Sequence, residues 1–102
     1  MNSRERLQKT LNHQSPDKMA VDFGSTAVTG MHVRCIEGLR QHYGLEKRPV
    51  KVIDPYQMLG LIEDDLLNAI GIDVEGLFPL NNMFGFANAD WKTWQTPWGQ
   101  QV

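Results

Sequence analysis

The chain has 102 residues, 41% of them hydrophobic and 22% charged, with 10 basic against 12 acidic side chains. That balance describes a globular chain of one domain at most and offers no positive field for nucleic acid or anionic membranes. A lone cysteine, Cys35, excludes an internal disulfide, and no apolar run approaches the roughly 18 residues of a membrane span. The start MNSRERLQK lacks the apolar core of a secretory signal, so a cytoplasmic protein is expected.

In SRERLQKTLNHQSPDK, Ser3 is placed to cap a helix on which Leu7 and Leu11, four apart, share a face, and Ser-Pro-Asp stops it. MAVDF is β-branched and aromatic in character and reads as a strand, Met19–Phe23, ended by Gly24. Val28, Met31, His32, Cys35, Ile36, Leu39 and Tyr43 recur at three- and four-residue spacing and predict a helix over Val28–Tyr43, with Gly44 as its stop. VKVI predicts a second strand, Val50–Ile53. Asp54-Pro55 then reads as cap and first position of a helix over Pro55–Ile70 that Gly71 ends. Asp73–Phe78 reads as a third strand. The remainder is rich in Asn, Gly and Trp, and should be loop leading into extended segments around WKTWQTPWGQQV.

Strands alternating with helices indicate an α/β chain built from βαβ units. A (β/α)8 barrel takes about 250 residues, so this length holds two or three of its repeats. TPWGQQV reads as the start of another strand, and the chain is expected to be one partial domain, 1–102, opening a longer barrel.

The succession SRERLQKTLNHQSPDKMAVDFGS resembles the N-terminal signature of the uroporphyrinogen decarboxylase family: a helix, an N-H-x-x-P-D turn and a P-V-D-like first strand. VKVIDPYQML, IGIDVEGLFP and the W…TPWG tail are similar to its corrinoid-linked methyltransferase branch. The resemblance implies a (β/α)8 barrel with its site at the C-terminal strand ends, and either decarboxylation of porphyrinogen acetates or methyl transfer. The expected partners are a tetrapyrrole, or a methylated corrinoid and a thiol, with homo-oligomerisation left open. On the same resemblance Asp22 is the catalytic candidate, and Ser25, Thr26 and Asp54 are the substrate-binding candidates. After Asp22 the chain reads FGSTAVTGMHVR in place of the R-Q-A-G-R-Y pattern of true decarboxylases, and the nearest arginine, Arg34, falls on the predicted helix. Without paired guanidiniums, a substrate bearing many carboxylates lacks its usual bidentate partners.

No cofactor is expected in this chain. A full-length methyltransferase-type protein would hold zinc through residues beyond Val102, whereas His32 and Cys35 share a helical face with apolar neighbours and read as core. No G-x-G-x-x-G turn points to a nicotinamide. The isolated chain is expected to be inactive.

Three other readings stay open. Asp-Phe-Gly-Ser-Thr resembles the first phosphate loop of actin-like ATPases and sugar kinases, which requires a second antiparallel strand directly after the glycine turn. Ser25, Thr26 and Thr29 equally fit helix caps, with Asp22 a turn residue and Asp54 an N-cap. Asp73, at a strand start, reads as structural. Trp91, Trp94 and Trp98 fit either a flat ligand or a patch on a core or an interface, and the whole chain also fits a small non-enzymatic α/β interaction module.

Overall fold

The computed structural model describes residues 1–82 and 84–102. Helix α1 spans Ser3–Leu11, α2 Val33–His42 and α3 Asp64–Ile70; strands β1, Val52–Asp54, and β2, Leu59–Gly60, form an antiparallel pair, and a 3₁₀ turn covers Asn88–Asp90.

The first helix is capped one residue earlier than expected. The Asn2 side chain accepts the Glu5 N–H at 2.8 Å while Glu5 returns a carboxylate to the Asn2 N–H, a reciprocal capping box. The face it buries is also different: Arg6 is buried and Leu11 exposed. Arg6 reaches Asp17 at 2.8 Å and Asp73 at 2.5 Å, and Asp73 takes the Ser3 hydroxyl at 2.7 Å and the Val21 N–H at 2.9 Å. An ion pair therefore docks α1 where its leucines were expected to. The Ser3, Val21 and Arg6 donors hold the Asp73 carboxyl below the usual carboxylate range.

The Met19–Phe23 and Asp73–Phe78 strands do not form. Val21 and Asp73 meet through one backbone bond, Asp73 N–H to Val21 O at 2.8 Å. The reciprocal acceptor is the Asp73 side chain, so no ladder propagates. The predicted Val28–Tyr43 helix starts only at Val33, because residues 24–30 are consumed by a turn and His32 is the cap, its Nδ1 accepting the Arg34 N–H at 3.1 Å. Gly44, at φ +67°, follows its last turn as expected.

The largest correction concerns the Pro55–Ile70 helix, of which only α3 exists. Residues 55–58 turn the chain, and Leu59–Gly60 return along β1, pairing Val52 with Gly60. Gly60 explains this. A Cβ there would lie 2.6 Å from Val50 Cγ1 and 2.7 Å from Ile36 Cδ1, so the backbone itself packs on the core. Asp65 then pairs with Arg40 through two 2.8 Å bonds and with Arg48 at 2.7 Å, tying α3 to α2. Gly71, at φ +84°, closes α3.

Val33, Ile36, Val50, Val52, Ile62, Leu66 and Ile72 form one buried cluster between α2, the hairpin and α3. The tail folds over the start of α2: Trp94 and Val102 exchange 2.9 Å backbone bonds, Gln100 Nε2 donates to Val33 O at 2.8 Å, and Trp98 stacks on His32 at 5.5 Å. No helix among the described residues is long and apolar enough to cross a membrane.

The molecule measures 45 × 33 × 18 Å, with a radius of gyration of 15.1 Å against the roughly 13 Å of a compact domain of this length. Its accessible surface is 7188 Å², about 1,350 Å² more than a compact monomer of this mass exposes. Leu77, Leu80, Phe84 and Phe86 contribute to that excess.

Candidate functional site

Asp22, Ser25 and Thr26 come together in one turn. Asp22 Oδ2 accepts the Ser25 hydroxyl at 2.6 Å, and its Oδ1 accepts the Ser25 N–H at 3.2 Å and the Thr29 hydroxyl at 3.3 Å. Gly24 N–H closes the turn on Thr29 O at 2.8 Å, and Thr26 Oγ1 lies 3.4 Å from Thr29 Oγ1. Hydroxyls three and seven residues on are what such a loop needs to satisfy a carboxylate locally. A carboxylate has about four lone-pair positions, and three donors occupy this one, leaving Oδ2 an acceptor for one more. The Asp73–Val21 bonds anchor the turn from below, and the Gly76 backbone abuts that of Ser25 so closely that a side chain at 76 would collide with it.

The phosphate-loop reading loses its structural requirement here. No strand comes between Gly24 and α2 among the described residues; the chain runs from the turn directly into that helix.

Asp54 ends β1 and also caps a turn, but of a hairpin in place of a helix: Oδ1 accepts the Tyr56 N–H at 2.9 Å and the Gln57 N–H at 3.3 Å. Met58, with φ +54°, completes the reversal. Asp54 and Ala27, from the Asp22 turn, line one cavity of about 270 Å³ whose apolar wall includes Leu59, Leu61 and Phe78. Asp22, Ser25 and Thr26 are not in its lining; they shape the rim segment that Ala27 contributes.

Two polar residues of this cavity escape sequence reasoning. Lys51 donates from Nζ to Asn88 O at 2.5 Å, and Asn88 Nδ2 donates to Pro79 O at 2.9 Å. Asn88 Oδ1 is shut off from solvent with no donor among the described residues, which costs roughly 1–3 kcal/mol unless something supplies one. The alternation in VKVI, with valines inward, was the one available signal for Lys51; for Asn88 there was none.

No group of three His, Cys, Asp or Glu side chains that could hold a metal occurs among the described residues. His32 and Cys35, expected to share a buried face, separate in role: His32 caps α2 through Nδ1 and Cys35 is exposed. They do not fit a zinc site. Both buried arginines, Arg6 and Arg40, are held by aspartates away from the cavity. Arg34 is exposed on α2. No family model, curated protein or solved structure matches the chain.

Proposed function

We propose that this chain is the opening part of a (β/α)8 enzyme of the uroporphyrinogen decarboxylase kind, in which the turn Asp22–Thr29 and the β1 end at Asp54 form adjoining parts of one substrate pocket's lip. The observation that carries the reading is that the cavity lined by Asp54 is also lined by Ala27, the residue after Thr26 in the Asp22 turn, so the two marked segments adjoin although Asp22, Ser25 and Thr26 themselves lie outside the lining. The order of motifs along the sequence supports it, and so does the surplus exposed surface, which a larger barrel would cover.

Of the two reactions, methyl transfer fits better than decarboxylation. The cavity lining has one cation, Lys51, and no arginine, whereas a porphyrinogen with several carboxylates calls for convergent guanidiniums. In this reading Asp22 orders the rim with Ser25 and Thr29 and uses its remaining Oδ2 position to accept a hydrogen bond from substrate. Asp54 holds the opposite rim through its turn. Zinc, if the complete protein uses it, is held outside these residues.

The test is to assay the protein expressed from its complete reading frame for methyl transfer from methylcobalamin to a thiol, and separately for uroporphyrinogen decarboxylation. Methyl transfer is expected; decarboxylation alone would reverse the choice of branch, and neither activity would discard the enzyme. The exposed Leu77, Leu80, Phe84 and Phe86 favour the second reading, a non-enzymatic module that docks on a partner.

A further inference from the structure

The stretch GLFPLNNMFGFANA, Gly76 to Ala89, has no charged side chain; Glu75 and Asp90 bound it. It folds as a small hairpin. Asn81 and Ala87 are antiparallel partners, the Asn82 N–H donates to Phe86 O at 2.8 Å, and the Asn88 N–H donates to Leu80 O at 2.9 Å. At the tip the Gly85 N–H meets Asn82 O at 3.0 Å, and Asn82 Oδ1 accepts the Phe84 and Phe86 N–H groups at 2.9 and 3.1 Å. Asn88 Nδ2 on Pro79 O and Lys51 Nζ on Asn88 O hold the base. These bonds fix the backbone, so what the hairpin offers outward is its side chains: Leu77 is 99% exposed, Leu80 89%, Phe86 67%, Phe84 56% and Phe78 42%.

At about 150–200 Å² for each large apolar side chain when free, those exposures amount to roughly 500–700 Å² on one hairpin. The largest apolar patch of an ordinary monomer is about 300–600 Å², and each partner of a standard protein interface gives up about 800 Å². The hairpin alone comes close to what a stable dimer needs. Two properties single out a second copy as its occupant. An uncharged surface meets itself without like-charge repulsion, while a strongly charged partner would find no opposite charge on it. The hairpin also carries both halves of a fit: Leu77 and Leu80 stand almost wholly in solvent, and Phe84 and Phe86 wall an open groove of about 550 Å³ with Pro55 and Trp91. Such self-complementarity is what a two-fold contact uses. We propose that this hairpin is a dimerisation surface on which a second copy of the chain docks about a two-fold axis, burying Leu77, Leu80, Phe84 and Phe86 of both copies. The fixed backbone lowers the entropic cost of docking. This contact supplies a partner for the module reading of the chain, but it does not rest on that reading or on the enzymatic one, which turnover assays test separately.

Sedimentation equilibrium and light scattering read the association, on the chain and on the protein expressed from its complete reading frame. A discrete dimer is expected in both, with a dissociation constant of roughly 1–100 µM, as suits an interface near the lower size limit. Raising salt from about 0.05 to 0.5 M should leave association unchanged or tighten it, since no charge pair crosses the contact. Leu77→Ser with Leu80→Ser should weaken it at least tenfold, and so, independently, should Phe86→Ser. Leu11→Ser, which removes another exposed leucine, on α1, should leave it unchanged. Far-UV circular dichroism identical to wild type shows that the variants fold. A wild-type chain that stays monomeric at about 200 µM overturns the proposal. So do species that grow beyond the dimer, as a head-to-tail contact would give, and folded hairpin variants that associate like wild type or no more weakly than Leu11→Ser. Dimerisation of the chain but not of the complete-frame protein would mean that the rest of the polypeptide covers the hairpin. Monomeric protein that partitions into phosphatidylcholine vesicles through Leu77 and Leu80 would make the partner a lipid surface; either result also overturns the proposal.

Discussion

Gly60→Ala separates the hairpin from the helix that the sequence suggests, because the two structures predict opposite signs. In a continuous Pro55–Ile70 helix, replacing an interior glycine by alanine would stabilise by about 1 kcal/mol. In the hairpin, the new methyl would sit 2.6 Å from Val50 Cγ1, 2.7 Å from Ile36 Cδ1 and 3.2 Å from Val33 Cγ1, where carbon atoms normally stand about 3.5–4.0 Å apart. Two of these neighbours must retreat by about 1 Å, and all three are core residues with less than 5% of their surface exposed, although Val50 also borders a cavity of about 350 Å³. Overpacking of this kind costs about 1–3 kcal/mol. At about 4–8 °C per kcal/mol for a domain near this size, the melting temperature should fall by roughly 5–20 °C. Thermal and urea unfolding monitored by circular dichroism at 222 nm measure it; an unchanged or raised melting temperature would refute the packing argument and the β1–β2 pairing with it.

Leu66→Ala removes a side chain with no exposed surface from the centre of the same cluster and should cost about 3 kcal/mol in urea unfolding. Hydrogen bonds from Arg6 hold Asp17 down to about 2, and those from Arg40 hold Asp65 down to about 2, against an ordinary 3.8. Because the folded values lie below the unfolded ones, this stabilisation is present above pH 4 and lost as pH falls towards 2. The double variant Asp17→Asn with Asp65→Asn should therefore show a shallower loss of denaturation midpoint between pH 5 and 2 than wild type. His32→Ala should lower stability by about 1 kcal/mol through loss of the α2 cap, and His32→Asn should restore it, as read by melting temperature.

The features legible in the sequence are local ones. Gly44 and Gly71 end helices where their spacing says, and Asp22 is a turn residue as one reading has it; Ser25, Thr26 and Thr29, by contrast, cap no helix, since α2 starts at Val33 with His32 as its cap and the Ser25 and Thr29 hydroxyls bond to Asp22. What failed depends on distant partners or on ambiguous signals. Arg6 lies 67 residues from Asp73, and no periodicity announces that an arginine in place of the Leu7–Leu11 face will be buried. Asp54-Pro55 fits a helix start and a hairpin turn equally well, since either uses a carboxylate to take N–H groups two or three residues on; Gly60 and the tertiary packing on Val50 and Ile36 decided between them. The apolar spacing from Val28 does not mark a helical face, as Val28 itself is 95% exposed and the Asp22 turn takes up residues that a helix from Val28 would need. Lys51 and Asn88 meet across 37 residues and became visible only in the fold.

The central claim, that the Asp22 turn forms the rim of a substrate pocket, is tested most directly by Asp22→Asn in the protein expressed from the complete reading frame. The variant keeps the shape of the side chain and removes its charge, leaving Ser25 and Thr29 within reach of the remaining carbonyl oxygen. A charged hydrogen bond to substrate is worth about 1.5–3 kcal/mol, so kcat/KM for methyl transfer should fall roughly ten- to hundredfold while the melting temperature stays within about 4 °C of wild type. Unchanged turnover in a folded variant would contradict the account and leave Asp22 as a turn residue alone.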